Sequence, residues 1–284
     1  MKNFLLALLL LCMATVTSFS QQQKKVCKFD ESVEEDIAAS LPPIDFSEKE
    51  IIIPVVFHVI YAKKRQNISR ARILRDLRGL QEDFQLKHND TSEVHPNFKG
   101  IIGNPNIKFV LADTTPSGKP TNGIVHKKIL IRGRPHNKSK IWNPKKYLNV
   151  YIAKISGDGY VPTATAWKNP VNDAAFVKYS LIGFNNRLLT HEVGHWLGLY
   201  HVFKGGCSDR DRIEDTPAQE KATHSSFNCQ SIPKKLCDDV IPNYNNFMDY
   251  GSCRRMFTVG QVQKMQDVIQ QHRSEFLVPK SNDE

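Results

Sequence analysis

Residues 191–201, His191-Glu192-Val193-Gly194-His195-Trp196-Leu197-Gly198-Leu199-Tyr200-His201, decide how the rest of the chain is read. His191 and His195 are four apart, so on a helix they share one face, a turn apart. Glu192 follows the first of them, where a carboxylate reaches a water on the metal without binding the metal itself. Gly198 can adopt a positive φ, end the helix and let His201 return as a third ligand. Three neutral imidazoles leave one tetrahedral position open, which is the catalytic form of a zinc site. The stretch reads as the metal site of a hydrolase; the competing reading is a degenerate descendant that no longer holds metal.

The spacing predicts the metal helix over 187–197. Upstream, Ile51-Ile52-Ile53-Pro54-Val55-Val56-Phe57-His58-Val59-Ile60 is a β-branched apolar run that predicts a buried strand. A helix is predicted over 69–86, with Ile73, Leu74, Leu77, Leu80 and Phe84 on one face and Ser69 as N-cap. Further strands are predicted at 107–112, 124–131, 147–153 and 174–182, with Thr115-Pro116-Ser117-Gly118 as a turn between them. Downstream, 202–256 reads as irregular and cysteine-bearing. A last helix is predicted over 258–276, opened by the capping box Thr258-Val259-Gly260-Gln261. The result is an α+β domain over 51–284, with an upper lobe to about 201 and a lower lobe from about 202.

Of 284 residues, 40% are hydrophobic and 24% charged, ordinary for a globular chain with ample core. The net charge of +10 comes from 39 basic and 29 acidic residues. The basic residues are scattered from Lys24 to Lys280 without a basic-aromatic repeat, so they read as a solvated surface and no nucleic-acid partner is expected. A polyanion-binding protein remains a secondary reading that salt-dependent retention would test. Lys2, the apolar Phe4 to Leu11 and Ser18-Phe19-Ser20 read as a signal peptide over 1–20, leaving Gln21 first. Residues 21–50 are acid-rich and end near Pro42-Pro43, reading as a pro-segment or linker. No later run is long enough to span a bilayer. The expected product is secreted, extracellular or periplasmic in transit, without a membrane anchor, and monomeric. After the signal the cysteines are Cys27, Cys207, Cys229, Cys237 and Cys253. The last four suit two bridges, for which three pairings are open.

The zinc motif, together with Asn245-Asn246-Phe247-Met248-Asp249-Tyr250, resembles the metzincins, which carry a methionine-bearing turn beneath the metal. Within them the chain is similar to the pappalysin-type, ulilysin-like secreted peptidases. The similarity is carried by Pro54-Val55-Val56-Phe57-His58-Val59, by Leu189-Thr190-His191 through His201-Val202-Phe203, and by Asp215-Thr216-Pro217. Met248-Asp249-Tyr250 and Phe257-Thr258-Val259-Gly260-Gln261 complete it, so that it covers roughly 51–272. It implies a metzincin-like zincin fold: a twisted, mostly parallel N-terminal sheet with a backing helix and an active-site helix, then an irregular, disulfide-tied C-terminal lobe ending in a helix.

The resemblance further implies a zinc endopeptidase acting on extracellular proteins. His191, His195 and His201 would hold one zinc, and Glu192 would act as general base and then proton donor. Met248 would form the floor under the histidines, the alternative being an ordinary core methionine. Tyr250 would help hold the tetrahedral intermediate, the alternative being a structural tyrosine. The implied disulfides are Cys207–Cys237 and Cys229–Cys253. A structural calcium is implied at Asp209, Asp211, Asp215 and Thr216. Arg210 and Arg212 among them allow a solvated charge cluster instead. Several relatives prefer basic residues after the scissile bond and carry acidic residues after the tyrosine. Here that connector is only Gly251-Ser252, and Arg254-Arg255 follow Cys253, which disfavours basic side chains nearby. Cys27, or Asp30, is a candidate for closing the open zinc position in a latent zymogen, the alternative being a spare cysteine. A reading of a different class is a non-catalytic secreted binding protein on a retired metzincin scaffold.

Overall fold

The computed structural model describes residues 41–130, 139–208, 211–235 and 237–280. The β-branched run forms β1 (Lys49–Tyr61), which organises a seven-stranded sheet. Along one side of β1 lie β3 (Ile107–Leu111) and then β4 (Ile124–Lys128), both parallel to it. Along the other lie β9 (Leu277–Pro279), antiparallel, and then β5 (Leu148–Ala153), parallel. Ile51 pairs with both Ile107 and Leu277, and Phe57 with both Ile124 and Val150. Beyond β5 comes β7 (Ala175–Lys178), parallel, and the sheet ends at β6 (Gly159–Tyr160), antiparallel to β7.

Alternate residues of β1 serve two layers. Ile51, Ile53, Val55, Phe57 and Val59 are fully buried against α1 (Arg70–Phe84) and α3 (Leu188–Trp196), sharing a core with Leu80, Phe84, Val193 and Trp196. On the opposite face His58 is also fully buried. It stacks on Tyr151 at 4.5 Å and hydrogen-bonds Ser139 Oγ at 2.9 Å and Asn149 Oδ1 at 3.0 Å. Both faces being covered here, β1 reads as a continuous apolar run rather than an alternating one.

Predicted elements recur with shifted ends. α1 is shorter than predicted by one residue at the start and two at the end, and Ser69 takes the N-cap place with extended backbone but no capping hydrogen bond from its side chain. The 174–182 strand is confined to Ala175–Lys178, with a 3-10 turn at Tyr179–Leu181. The lower lobe contains α2 (Pro96–Lys99) and the two-residue strands β2 (Ile102–Gly103) and β8 (Phe257–Thr258), which pair. It ends with α4 (Val259–His272), where the capping box forms between Thr258 and Gln261. Cys207–Cys237 and Cys229–Cys253 are bonded, tying the irregular segment between α3 and α4.

The two lobes share one core: Met248, Phe257, Met265, Ile269 and Phe276 belong to the same cluster as β1, α1 and α3. The predicted leading segment is ordered at its end. Ile44 is buried, Leu41 N donates to Asp267 Oδ1 at 3.1 Å, and the Gln270 amide donates to the Pro42 carbonyl at 3.1 Å. Residues 1–40, with the predicted signal peptide, Cys27 and Asp30, lie outside the described residues, as do Asp209 and Arg210.

Candidate active site

All nine residues of α3 are buried. Arg187 precedes it at φ 60°, a left-handed conformation uncommon for a residue other than glycine. Its guanidinium holds that corner by bridging Asp83 at 3.3 Å and Asp90 at 2.8 Å and by donating to the Arg254 carbonyl. Asp83 also accepts from Thr190 Oγ1 at 2.6 Å, which fixes the first turn of the helix onto α1. At the other end Trp196 Nε1 donates to Asp173 Oδ1 at 2.6 Å, and Asp173 is gripped by both terminal nitrogens of Arg273 at 2.9 Å. Gly198, at φ 91°, then turns the chain so that His201 comes back.

The three histidines converge. Their nearest ring nitrogens lie within 4.8 Å of one another, and Nε2 of His195 is 3.1 Å from Nε2 of both His191 and His201. His191 Nδ1 donates to the Phe247 carbonyl and His195 Nδ1 to the Leu199 carbonyl, each at 2.7 Å. A carbonyl only accepts, so these contacts fix both Nδ1–H tautomers and turn the Nε2 lone pairs inward. Burial, with the neighbouring histidines and Arg254 adding to it, holds His191 well below the usual imidazole pKa. Burial alone pushes His201 down to about 3. Facing lone pairs on buried, neutral imidazoles repel unless a cation lies between them. Tetrahedral Zn–N bonds of about 2.0–2.1 Å put ligand nitrogens roughly 3.3 Å apart, so the donor set fits zinc.

Beneath the histidines, residues 245–250 form the methionine turn. Phe247 supplies the carbonyl that orients His191, and Met248 is fully buried. A Cβ on Gly194 would stand 2.5 Å from Met248 Sδ, so the glycine inside the histidine motif makes room for the turn. Asp249 is buried and accepts from Tyr250 N at 2.7 Å, Thr223 N at 2.9 Å and Gln219 Nε2 at 3.1 Å. Its burial raises the carboxyl pKa and these donors pull it back. The Tyr250 ring lies 4.9 Å from that of His201 and 5.7 Å from that of His191. Glu192 is fully buried beneath the sheet edge: a Cβ on Gly159 of β6 would come within 2.2 Å of its Oε1.

The structure thus brings His191, Glu192, His195, His201, Met248 and Tyr250 to one place. Of the residues named for the calcium loop, Asp211, Asp215 and Thr216 are described and make hydrogen bonds. Asp215 accepts from Thr258 Oγ1 at 2.6 Å and Gly260 N at 2.8 Å, capping α4. Asp211 accepts from Ile213 N at 3.0 Å and Thr216 Oγ1 at 2.7 Å. Among the described residues the three histidines form the one group of three or more His, Cys, Asp or Glu side chains whose ligand atoms lie close enough to share an ion. Gly159, Asp83, Arg187 and Asp249 were not singled out from sequence as site residues. Gly194 carried a legible signal, since it faces the same way as His191 at a spacing of three.

Fold and site together define a metzincin-type metallopeptidase domain: a mostly parallel sheet, a helix bearing two histidines and a glutamate, and a methionine turn under them. Residues 135–270 match the peptidase M43 family described as pregnancy-associated plasma protein-A. The extracellular metalloprotease of Sordaria macrospora is 37% identical over 147 residues, covering 45% of this chain and 50% of that protein. That of Arthroderma benhamiae is 42% identical over 150 residues, covering 45% and 49%. The chain spans about half the length of these curated relatives. Mature mirolysin of Tannerella forsythia, solved with a cleaved peptide, superposes with a TM-score of 0.70 at 31% identity, covering 80% of this chain and 98% of that one. A mutant of promirolysin from the same organism gives 0.72 at 32%, covering 80% and 83%. The chain belongs to the peptidase M43, or pappalysin, family.

Proposed function

We propose that the chain is a secreted zinc-dependent endopeptidase that hydrolyses peptide bonds of extracellular proteins. The observation that carries this reading is the inward convergence of three buried imidazoles beside the buried Glu192 carboxylate. Zinc, when bound by His191, His195 and His201, supplies Lewis acidity that brings a water's pKa toward neutrality and polarises a carbonyl. Glu192 takes the proton of the attacking water and hands it to the departing amine. The Tyr250 hydroxyl donates to the oxyanion that develops on the scissile carbonyl. β6, the end strand of the described sheet beside Glu192, is the edge along which an extended peptide would lie.

Glu192→Ala tests the reading. It is expected to keep the fold and bound zinc, measured by circular dichroism and metal analysis, while casein hydrolysis disappears. Undiminished hydrolysis would exclude Glu192 as the base, and no hydrolysis by the zinc-loaded parent would favour the retired, binding-only scaffold.

Export rests on the signal-like residues 1–20 and on the extracellular naming of the relatives, and N-terminal sequencing of exported protein should begin at Gln21. Latency through Cys27 rests on sequence alone, and Cys27→Ala is expected to be active without cleavage. A calcium in the 209–216 loop rests on the resemblance. Asp211 and Asp215 accept hydrogen bonds there and keep lone pairs that a cation could use. Unchanged thermal stability in a calcium-selective chelator would speak against it.

A further inference from the structure

Most buried or half-buried arginines here have carboxylate partners: Arg187 has Asp83 and Asp90, Arg255 has Glu93, and Arg273 has Asp173. Arg254 is half-buried and makes no salt bridge among the described residues, although the Asp249, Glu192 and Asp83 carboxylates lie close enough to act on its charge. Among the described residues its guanidinium makes one hydrogen bond, from Nη2 to the Asn186 carbonyl at 2.9 Å. Its own carbonyl is tied by Arg187. It therefore spans from the end of the methionine turn, four residues after Tyr250, to the corner one helical turn before His191. Asp83 is already shared by Arg187 and Thr190, and Asp249 by three donors. No acidic residue lies between Asp249 and Asp267 in the sequence, and the connector to Cys253 is Gly251-Ser252. The wall of the site at the start of α3 thus carries an arginine fork with most of its five donors uncommitted.

The direction of a bound peptide follows from the topology. Trp196, at the end of α3, bonds Asp173, just before β7 begins, while Glu192, earlier in α3, packs on Gly159, the partner of Val177 late in β7, so α3 runs antiparallel to β7. β6 also runs antiparallel to β7 and ends the sheet. A peptide adding antiparallel to the outer edge of β6 runs the same way as β7. Its residues C-terminal to the scissile bond then extend toward the first turn of α3, where Arg254 lies.

We propose that Arg254 is a specificity-determining residue that selects substrates with a carboxylate side chain immediately after the scissile bond. The proposal rests on the peptidase reading above. An arginine fork matches a carboxylate in two parallel hydrogen bonds, and a lysine at the same substrate position meets like charge.

The test uses zinc-loaded protein and three peptides identical except for Glu, Gln or Lys after the scissile bond, with the cleavage position read by mass spectrometry. The expected kcat/KM is about tenfold higher for Glu than for Gln, and lowest for Lys. Arg254→Gln should bring Glu and Gln to within about twofold, and Arg254→Glu should make Lys the preferred residue. Because the Asp249, Glu192 and Asp83 carboxylates act on the Arg254 charge, the readout is the Glu-to-Gln ratio within each protein, which a general loss of rate or stability leaves unchanged. Equal cleavage of the Glu and Gln peptides by the parent, or a Glu preference that survives in Arg254→Gln, would overturn the proposal whatever the variants' stability. If the parent cleaves neither these peptides nor casein, the peptidase reading itself fails, and this proposal with it.

Discussion

Gly194 and Met248 occupy adjoining space so closely that a methyl group on the glycine would stand 2.5 Å from the methionine sulfur. Helix propensity favours alanine over glycine by about 1 kcal/mol in a helix interior. Here packing opposes it, because Met248 is fully buried and enclosed by the turn that also orients His191. Gly194→Ala is expected to destabilise by about 1–3 kcal/mol in urea unfolding and to lower activity further by displacing the turn. Met248→Ala opens a cavity of its own, at about 2–5 kcal/mol, but it relieves the contact, so the two substitutions together should cost clearly less than the sum of the two alone. A Gly194→Ala protein more stable than its parent would show that the turn yields freely.

Asp173 and Arg273 are 2% and 1% exposed, and between them they join the end of α3 to the end of α4. The guanidinium also lies 3.6 Å from the centre of the Trp196 ring. Removing one member leaves a buried charge without its partner. Arg273→Met is therefore expected to cost about 3–5 kcal/mol, whereas Asp173→Asn with Arg273→Met should cost clearly less than the sum of the two. Strict additivity in a double-mutant cycle would mean that the pair is not coupled.

These relationships mark where the sequence was legible. His191, Glu192, His195 and His201 fall within eleven residues, and helix geometry converts their spacing directly into a shared centre. Met248 and Tyr250 were legible because a short motif with a known partner motif announces them. Asp173 and Arg273 are 100 residues apart, and Asp83 and Thr190 are 107. Nothing local to either member of these pairs signals the other. β1 declared itself through a long apolar run, but β2, β6 and β8 have two residues each, too few for any periodicity. Asp215 shows the opposite limit: a carboxylate read as a member of a calcium loop also accepts from the start of α4, a contact that its spacing did not announce.

The two disulfides close loops of similar size, with separations of 30 and 24 residues. Each should therefore stabilise by about 3 kcal/mol through the unfolded chain. Their effects on the site should differ. Cys253 lies three residues after Tyr250, and its carbonyl accepts from Asn245 Nδ2 and Arg255 Nη1, both at 2.9 Å. Replacing Cys229 and Cys253 by serine is expected to lower both melting temperature and hydrolysis. Replacing Cys207 and Cys237 should lower the melting temperature alone. Equal losses of activity below the melting point would disprove the division.

His58 gives the fold an acid-labile contact outside the metal site. Burial pushes its pKa down from 6.5 to about 4, with the Asn149 hydrogen bond opposing the shift. As pH falls through 6.5 the unfolded chain takes up a proton that the folded chain refuses until about pH 4. Stability therefore falls across that window and levels off below it. A shift of this size corresponds to up to about 3 kcal/mol, and the ring is fully buried, so solvent screening does not reduce it. His58→Phe keeps a ring against Tyr151 and removes the titration, while Asn149 Oδ1 still accepts from Trp142 N at 2.8 Å. The variant is expected to be less stable than the parent at pH 7.5, and the gap should narrow or reverse by pH 4. Asp76 and Asp83, whose pKa values burial raises, bias stability the other way, but they are common to both proteins and cancel in the difference. Urea unfolding at half-unit steps of pH measures it, and parallel stability curves for parent and variant would show that His58 does not couple folding to protonation.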